Sequence, residues 1–218
     1  MLISISGKKR AGKDEVANVL VKNHKYVKVA LADGLRELCS KVFDMPLQEF
    51  TNDNTKERQF SHPIILDEEH LGFMLSVIEN DWQIPVSKES KDKMLTKVGS
   101  QFIHPRHLLQ IVGTEVIRDC ISDNFWIDAL EKKIENLADV VISDVRYSNE
   151  RAWAKSRGAL MCFVNRPNNP AKSDGHKSEN DLGNESDYQI VMNNDDSLSR
   201  FQIEVGSFFN NYLSRGIK

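Results

Sequence analysis

The stretch Leu2–Leu20, LISISGKKRAGKDEVANVL, constrains the fold more than any other part of the 218-residue chain. Short apolar residues run up to Gly7, which reads as a buried strand from Leu2 to Ser6. Gly7, four residues and then Gly12-Lys13 follow, the spacing of a phosphate-binding loop. Beyond Lys13 the apolar positions Val16, Ala17, Val19 and Leu20 fit one face of a helix. A strand, a glycine loop and a helix in that order offer unpaired N–H groups and the positive end of a helix dipole to an anion. One residue departs from the usual pattern: Asp14 follows Lys13, where a serine or threonine normally helps to hold Mg²⁺. A basic surface turn is the alternative, and it leaves the glycine pair and the buried lead strand without a reason.

Downstream, apolar runs predict strands at Tyr26–Ala32, around Val140–Ile142, at ALMCFVN (Ala159–Asn165) and at YQIVMN (Tyr188–Asn193). Helical spacing predicts helices over Gly34–Phe43, Arg106–Ile121 with a kink at Gly113, and Asn124–Leu137 capped by Asp123 or Asn124. Two more follow at NERAWAKSRG, closed by Gly158, and from Asp196 to Leu213. Residues 44–104 are polar with short apolar clusters and read as an inserted, mostly helical subdomain within a single domain spanning 1–218. Residues 166–185 form a loop rich in Pro, Asn, Gly and Ser. Strands alternating with helices predict an α/β fold with a parallel sheet covered on both faces. Ligands in such sheets bind beyond the carboxyl ends of the strands. The glycine loop, the segment Ser143–Arg146 and the loop after Asn165 all fall there.

Charge narrows the partners. The 29 basic and 32 acidic residues give a net charge of −3, without the basic surplus of a protein that coats nucleic acid. Small anionic substrates fit this balance, with a local basic patch in GKKRAGK. Cys39, Cys120 and Cys162 have no zinc-ligand spacing and lie among apolar residues, which predicts buried reduced thiols and a reducing compartment. The apolar start MLISISG is too short for a signal peptide and no run reaches membrane-spanning length, so a cytoplasmic protein is expected. His104 and His107 lack metal-ligand spacing and are expected to be solvated.

Chemistry concentrates on a few residues. Lys13 is placed to reach the β- and γ-phosphates of a nucleotide. Asp144, directly after a strand, stands where phosphate-loop enzymes keep a carboxylate for Mg²⁺; a helix cap is the alternative. Arg146 offers a planar fork to a phosphoryl group, or a surface ion pair. Gln110, Thr114, Arg118 and Trp126 come from one region, and on one helix Thr114 and Arg118 are four apart and share a face. That pairing suits a monophosphate or sugar, or else an ordinary solvated face.

The segments GKKRAGKDEVA, LLQIVGTEVIRD, FW, VVISDVRYSNE, RPNNP…SDGHKSE and DYQIVMNNDDSL, in this order and spacing, resemble the phage deoxynucleoside monophosphate kinases over most of the chain outside residues 44–100. In that family a Lys-Asp pair commonly ends the phosphate loop. The resemblance implies a P-loop, adenylate-kinase-like three-layer fold that transfers the γ-phosphoryl group of ATP to a deoxynucleoside monophosphate, giving the diphosphate and ADP. It assigns Gly7, Lys9, Arg10, Ala11, Gly12, Lys13, Asp14 and Arg166 to ATP, Asp14 and Asp144 to Mg²⁺, and Arg146 to the phosphoryl group in transit. Arg36 and Arg118 become candidates for the acceptor phosphate, with Gln110, Thr114 and Trp126 nearby. Asn149 and Glu150 would orient Arg146 or the acceptor, and the 166–185 loop with Arg166, His176 and Glu179 would be a closing lid. Tyr147-Ser148 stands where relatives carry Phe-Pro before Asn-Glu, which predicts a less rigid turn after Arg146. Two other readings stay open: a phosphate-loop kinase of another small phosphorylated metabolite, and a non-catalytic nucleotide-binding or DNA-associated module. The apolar C-terminal segment FQIEVGSFFNNYL suits either a core or a homodimer face.

Overall fold

The computed structural model describes residues 1–52, 54–168 and 181–214. Among these the strands are β1 (Leu2–Ser6), β2 (Val27–Val29), β3 (Ile64–Ile65), β4 (Gln101–Phe102), β5 (Val140–Ile142), β6 (Leu160–Asn165) and β7 (Ile190–Asn193). The α-helices are α1 (Lys13–His24), α2 (Leu31–Val42), α3 (Leu47–Thr51), α4 (Glu68–Ser76), α5 (Lys88–Leu95), α6 (Pro105–Gln110), α7 (Phe125–Ile134), α8 (Ser148–Ser156) and α9 (Leu198–Ser214). The chain divides into two compact units, Met1–Leu31 with Ile134–Lys218, and Ala32–Lys133. No helix among the described residues is long and apolar enough to cross a membrane.

The first unit holds a parallel five-stranded sheet in the order β2-β5-β1-β6-β7. The period-2 alternation of β6 sorts the covering helices. Leu160, Cys162 and Val164 join Ile3 and Ile5 in a cluster with Val16, Ala17 and Leu20 of α1 and Phe201, Val205 and Phe209 of α9. Met161 and Phe163 face the other way, into a cluster with Ala154 of α8, Leu182 and Tyr188. Helices therefore cover both faces, as the alternating pattern predicts, and the apolar face of α9 belongs to the core.

The second strand is shorter than its apolar run. Tyr26–Ala32 reads as continuous strand, but β2 ends at Val29 and α2 begins at Leu31. The physical reason lies far along the chain: Asp144 Oδ1 accepts the Leu31 N–H at 2.7 Å and so caps the new helix.

In the second unit, residues 44–104, expected to be mostly helical, carry the short helices α3, α4 and α5 separated by non-helical segments, with β3 and β4 as a short antiparallel pair absent from the sequence expectation. Phe43 stacks on His70 and meets Phe102 edge-on, with ring centroids 4.7 and 5.5 Å away. His104 is not merely solvated: its ring accepts the His107 N–H at 3.0 Å and caps α6. The helix predicted over Arg106–Ile121 changes type at Ile111 and runs as a π-helix to Arg118, where the Asp119 N–H reaches back to Thr114 O at 2.9 Å. The winding changes at Ile111, two residues before the Gly113 at which the sequence predicts a kink. Gly113 is also packed tightly, because a Cβ there would lie 2.6 Å from Leu35 Cδ2. Its carbonyl accepts the indole N–H of Trp126 at 3.0 Å, and Trp126 is 3% exposed. All three cysteines are buried free thiols, and burial pushes Cys39 and Cys162 up in pKa.

Trp126 thus ties α7 to the π-helix. Trp126→Phe keeps most of the ring volume but leaves the Gly113 carbonyl without its donor, a cost of about 1–3 kcal/mol. Thermal melting should show a loss of roughly 2–4 °C per kcal/mol for a chain of this size; an unchanged Tm would remove the hydrogen bond from the account.

Candidate active site

Between β1 and α1 the backbone wraps a concave loop. Gly7 and Gly12 take φ values of 148° and 108°, and Arg10 sits in the left-handed region at 59°. For a non-glycine residue that conformation costs roughly 1–2 kcal/mol. The Lys13 side chain is 7% exposed, and its ammonium donates to the carbonyls of Gly7 and Lys8, each at 2.9 Å. Lys8 O also accepts the Ala11 N–H at 3.1 Å. Outside the loop, Arg166 donates to Arg10 O at 3.1 Å and Asn194 donates to Ala11 O at 2.8 Å. With the carbonyls of Lys8, Arg10 and Ala11 held by the Ala11 N–H, Arg166 and Asn194, these three oxygens are turned to donors of the protein and not to an anion in the loop. The adjoining cleft measures about 370 Å³, and Arg10, Lys13, Arg166 and Asn194 form part of its wall.

The acidic groups at this cleft have partners of their own. Asp14 lies 2.7 Å from Lys28 Nζ of β2, which also reaches Asn18 Oδ1 at 3.3 Å. Asp196 pairs with Arg200 at 3.1 Å, and Glu15 accepts from Gln202 at 2.7 Å. For Asp14, partial burial raises the pKa; Lys28, then Lys13 and the Ser143 hydroxyl, outweigh it and hold the carboxyl below its ordinary 3.8. Asp14 is the residue where the loop departs from the common pattern, and its charge is balanced by a lysine from the neighbouring strand.

At the carboxyl end of β5, Asp144 caps α2 through one oxygen, as already described. Arg146 is half-buried, and the turn beyond it is well held rather than loosened by Tyr147-Ser148. Glu150, 2% exposed, accepts the N–H groups of Arg146 and Tyr147 at 2.8 and 3.0 Å. Ser148 N–H bonds Asp181 Oδ2 at 2.8 Å, and Arg151 donates to Arg146 O at 2.9 Å and to Asp181 O. Glu150 therefore positions the backbone that carries Arg146. Asn149 is half-buried in the same turn.

The remaining predicted residues belong to the second unit. Arg36 pairs with Asp33 at 2.9 Å, and its Nε is buried without a hydrogen-bond partner among the described residues. Arg118 donates to Asp123 O at 3.0 Å. Thr114 and Arg118 lie in the π-helix, so the shared face argued from regular α spacing does not carry over as stated. Gln110 is half-buried at the end of α6. Trp126 is buried, with its indole N–H on Gly113 O. His176 and Glu179, with most of the predicted lid, lie outside the described residues.

The model of one family, deoxynucleotide monophosphate kinase, matches residues 1–71 and 76–205, nearly the whole chain. The chain belongs to the deoxynucleotide monophosphate kinase family. It is similar to a chain of Acanthamoeba polyphaga mimivirus that bears the name of a deoxynucleotide monophosphate kinase, with 26% identity over 97% of each. It is 25% identical to the deoxynucleotide monophosphate kinase of Enterobacteria phage T4 over 90% of this chain and 93% of that one. Against the deoxynucleoside-5'-monophosphate kinase of Escherichia phage T5 the identity is 33%, over 50% of this chain and 47% of that one. The family resemblance carried by the phosphate loop and the Ser143–Glu150 segment is thereby established, and the enzyme is a kinase.

Sequence reading passed over three side chains of this kinase's loop environment. Lys28 is an ordinary polar position of a short strand, Ser143 an ordinary serine, and Asn194 one of two adjacent asparagines in a turn. None carries a local signal, since each acts on a residue distant along the chain.

The Asp14–Lys28 pair gives a pH-dependent expectation. A folded pKa below the ordinary value adds stability that is fully present above pH 3.8 and is lost as pH falls through the lower folded value. Lys28→Met removes the principal lowering influence, so the Asp14 carboxyl should titrate higher by ¹³C NMR. The gap in Tm between wild type and Lys28→Met should close as the pH drops below 3.8. A gap independent of pH would assign the effect to Asn18 or to packing.

Proposed function

We propose that this kinase transfers the γ-phosphoryl group of ATP to a deoxynucleoside 5′-monophosphate, giving the diphosphate and ADP. The observation that carries the reading is the loop between β1 and α1, with Lys13 folded onto its carbonyls inside a family of deoxynucleotide kinases. Triphosphate oxygens would take over the Lys13 ammonium from Gly7 O and Lys8 O. Arg146, fixed through its backbone by Glu150 and Arg151, would meet the phosphoryl group in transit. Catalysis of this transfer consists mainly of in-line positioning and of neutralising charge on the equatorial oxygens. Closure by the loop carrying Arg166 would exclude water, which would otherwise consume ATP without an acceptor.

The donor set fits Mg²⁺. Among the described residues no group of three or more acidic, His or Cys side chains forms a protein-only metal site. Mg²⁺ bound to phosphates usually takes one or two carboxylates and fills its shell with phosphate oxygens and water. Asp14 and Asp144, at the loop and at the end of β5, supply such a pair, and the ion would add positive charge at the β- and γ-phosphates.

For the acceptor phosphate, Arg36 ranks ahead of Arg118. Its buried Nε lacks a partner among the described residues, whereas Arg118 already holds the Asp123 carbonyl. Arg36→Met should raise the KM for the monophosphate by about 10–100-fold, the worth of a hydrogen bond to a charged group, with the KM for ATP little changed. Arg118→Ala should have the smaller effect, and the reverse ranking would exchange their roles.

Two further variants test the transfer itself. Lys13→Ala should lower kcat by about 10²–10³-fold, as does removal of one preorganised contact to a transition state. Arg146→Lys should also be strongly impaired despite the retained charge, because a point charge cannot replace a two-pronged contact. The decisive assay is ADP release with ATP, Mg²⁺ and a panel of deoxynucleoside, ribonucleoside and other small monophosphates. Turnover with a non-nucleotide phosphate alone would favour a different acceptor class, and ATP binding without any turnover would favour a passive nucleotide-binding module.

A further inference from the structure

Asn194, directly after β7, has no part in the mechanism above, yet its side chain is 8% exposed and lies behind the phosphate loop. Its Nδ2 donates to Ala11 O at 2.8 Å, and its own N–H bonds Asn165 O at 2.8 Å, so β6 and β7 together fix its place. The fit to the loop is close. A Cβ added at Gly12 would stand 2.6 Å from Asn194 Nδ2. Burying an amide is costly unless its hydrogen bonds are made, so this side chain is there for the bond it forms.

The bond has a consequence on the opposite side of the peptide. No peptide in the described chain is cis, and in a trans peptide the C=O and N–H point in opposite directions. Holding Ala11 O toward Asn194 therefore aims the Gly12 N–H into the loop, where it has no partner among the described residues. Glycine makes such a lock necessary. The Ala11–Gly12 peptide plane turns about a glycine φ, and glycine tolerates many values of that angle. Once released, the plane is free to turn the carbonyl oxygen toward an anion and the N–H away from it.

We propose that Asn194 is a positioning residue for nucleotide binding, which locks the Ala11–Gly12 peptide so that the Gly12 N–H meets a phosphate oxygen. The proposal rests on the reading of this loop as the ATP site. It is independent of the acceptor.

The test uses the full chain with Asn194→Ala and Asn194→Asp, the latter of equal size but lacking the donor. ADP affinity is measured by calorimetry, the KM for ATP and for the monophosphate by steady-state kinetics, and the Gly12 amide by ¹H–¹⁵N NMR with and without ADP. Both variants should bind ADP about 10–100-fold more weakly, the range found when a group supporting a ligand-binding residue is removed. The KM for ATP should rise while that for the monophosphate stays within about twofold. In wild type the Gly12 amide should move on ADP addition, and in both variants that movement should shrink. Wild-type ADP affinity in Asn194→Asp, an unchanged Gly12 response, or an equal rise in both KM values would overturn the proposal. So would failure of both variants to fold, since Asn194 would then serve the fold and not the ligand. If wild type binds ADP but turns over no monophosphate, the acceptor reading fails, and weakened ADP binding in the variants would still uphold the role of Asn194.

Discussion

Gly7 has no room for a side chain: a Cβ there would lie 2.5 Å from the Val164 carbonyl oxygen. That oxygen belongs to the backbone of β6 and cannot step aside, and the φ of 148° is one that other residues rarely adopt. The central strand β1 must therefore end against β6 with the chain turning sharply out of the sheet. Everything in the phosphate loop hangs from this turn. It sets the Gly7 carbonyl in reach of Lys13, and it starts the loop beside the strand that ends at Asn165 and leads into Arg166. The neighbouring β7 then brings Asn194 to the same loop. A larger residue at Gly7 would disturb the sheet and the anion site together, because one close approach serves both.

Charge around that site is arranged in local pairs. The net charge of −3 says little about it. Asp14 faces Lys28, and Asp196 faces Arg200. Exposed pairs of this kind contribute only about 0–1 kcal/mol to stability. Their larger effect is on the field: a bare carboxylate beside a triphosphate site would repel the ligand, and a matched one does not. An Asp where most phosphate loops carry a hydroxyl is tolerable in this kinase because β2 places a lysine against it. The substitution and its compensation lie on different elements, so the loop pattern alone makes Asp14 look anomalous.

What the sequence made legible divides along the same line. The lead strand, the glycine loop and α1 were readable because each is encoded in neighbouring residues, by alternation, spacing and helical periodicity. The apolar run Val140–Ile142 matched β5 for the same reason. Features made by contacts distant in sequence were not readable. Leu31 opens a helix inside an apolar run because Asp144 caps it. Trp126, which in a list of residues looks like a ligand contact, is buried with its N–H on Gly113. Glu150 is expected to orient Arg146 or the acceptor, and only the structure shows it holding the backbone of Arg146. Each is a polar residue whose partner, not its type, decides its role.

Arg36 differs from the other buried polar residues in how its hydrogen bonds are met. Lys13, Glu150, Asn194 and Trp126 all have their buried polar atoms satisfied by the protein, as buried groups in stable folds generally do. The Arg36 Nε is buried and has no partner among the described residues. Leaving a buried donor unmade costs about 1–3 kcal/mol, and more for a charged group. Asp33 engages one end of the guanidinium at 2.9 Å, and in the proposed reading Nε would serve the acceptor phosphate. A planar, permanently charged fork held by one carboxylate is matched to a second, larger anion, and phosphate geometry suits it better than a single oxygen does. If Arg36 takes the acceptor phosphate as proposed above, binding would relieve the cost carried by that one atom, and occupancy would then be coupled to the stability of the second unit.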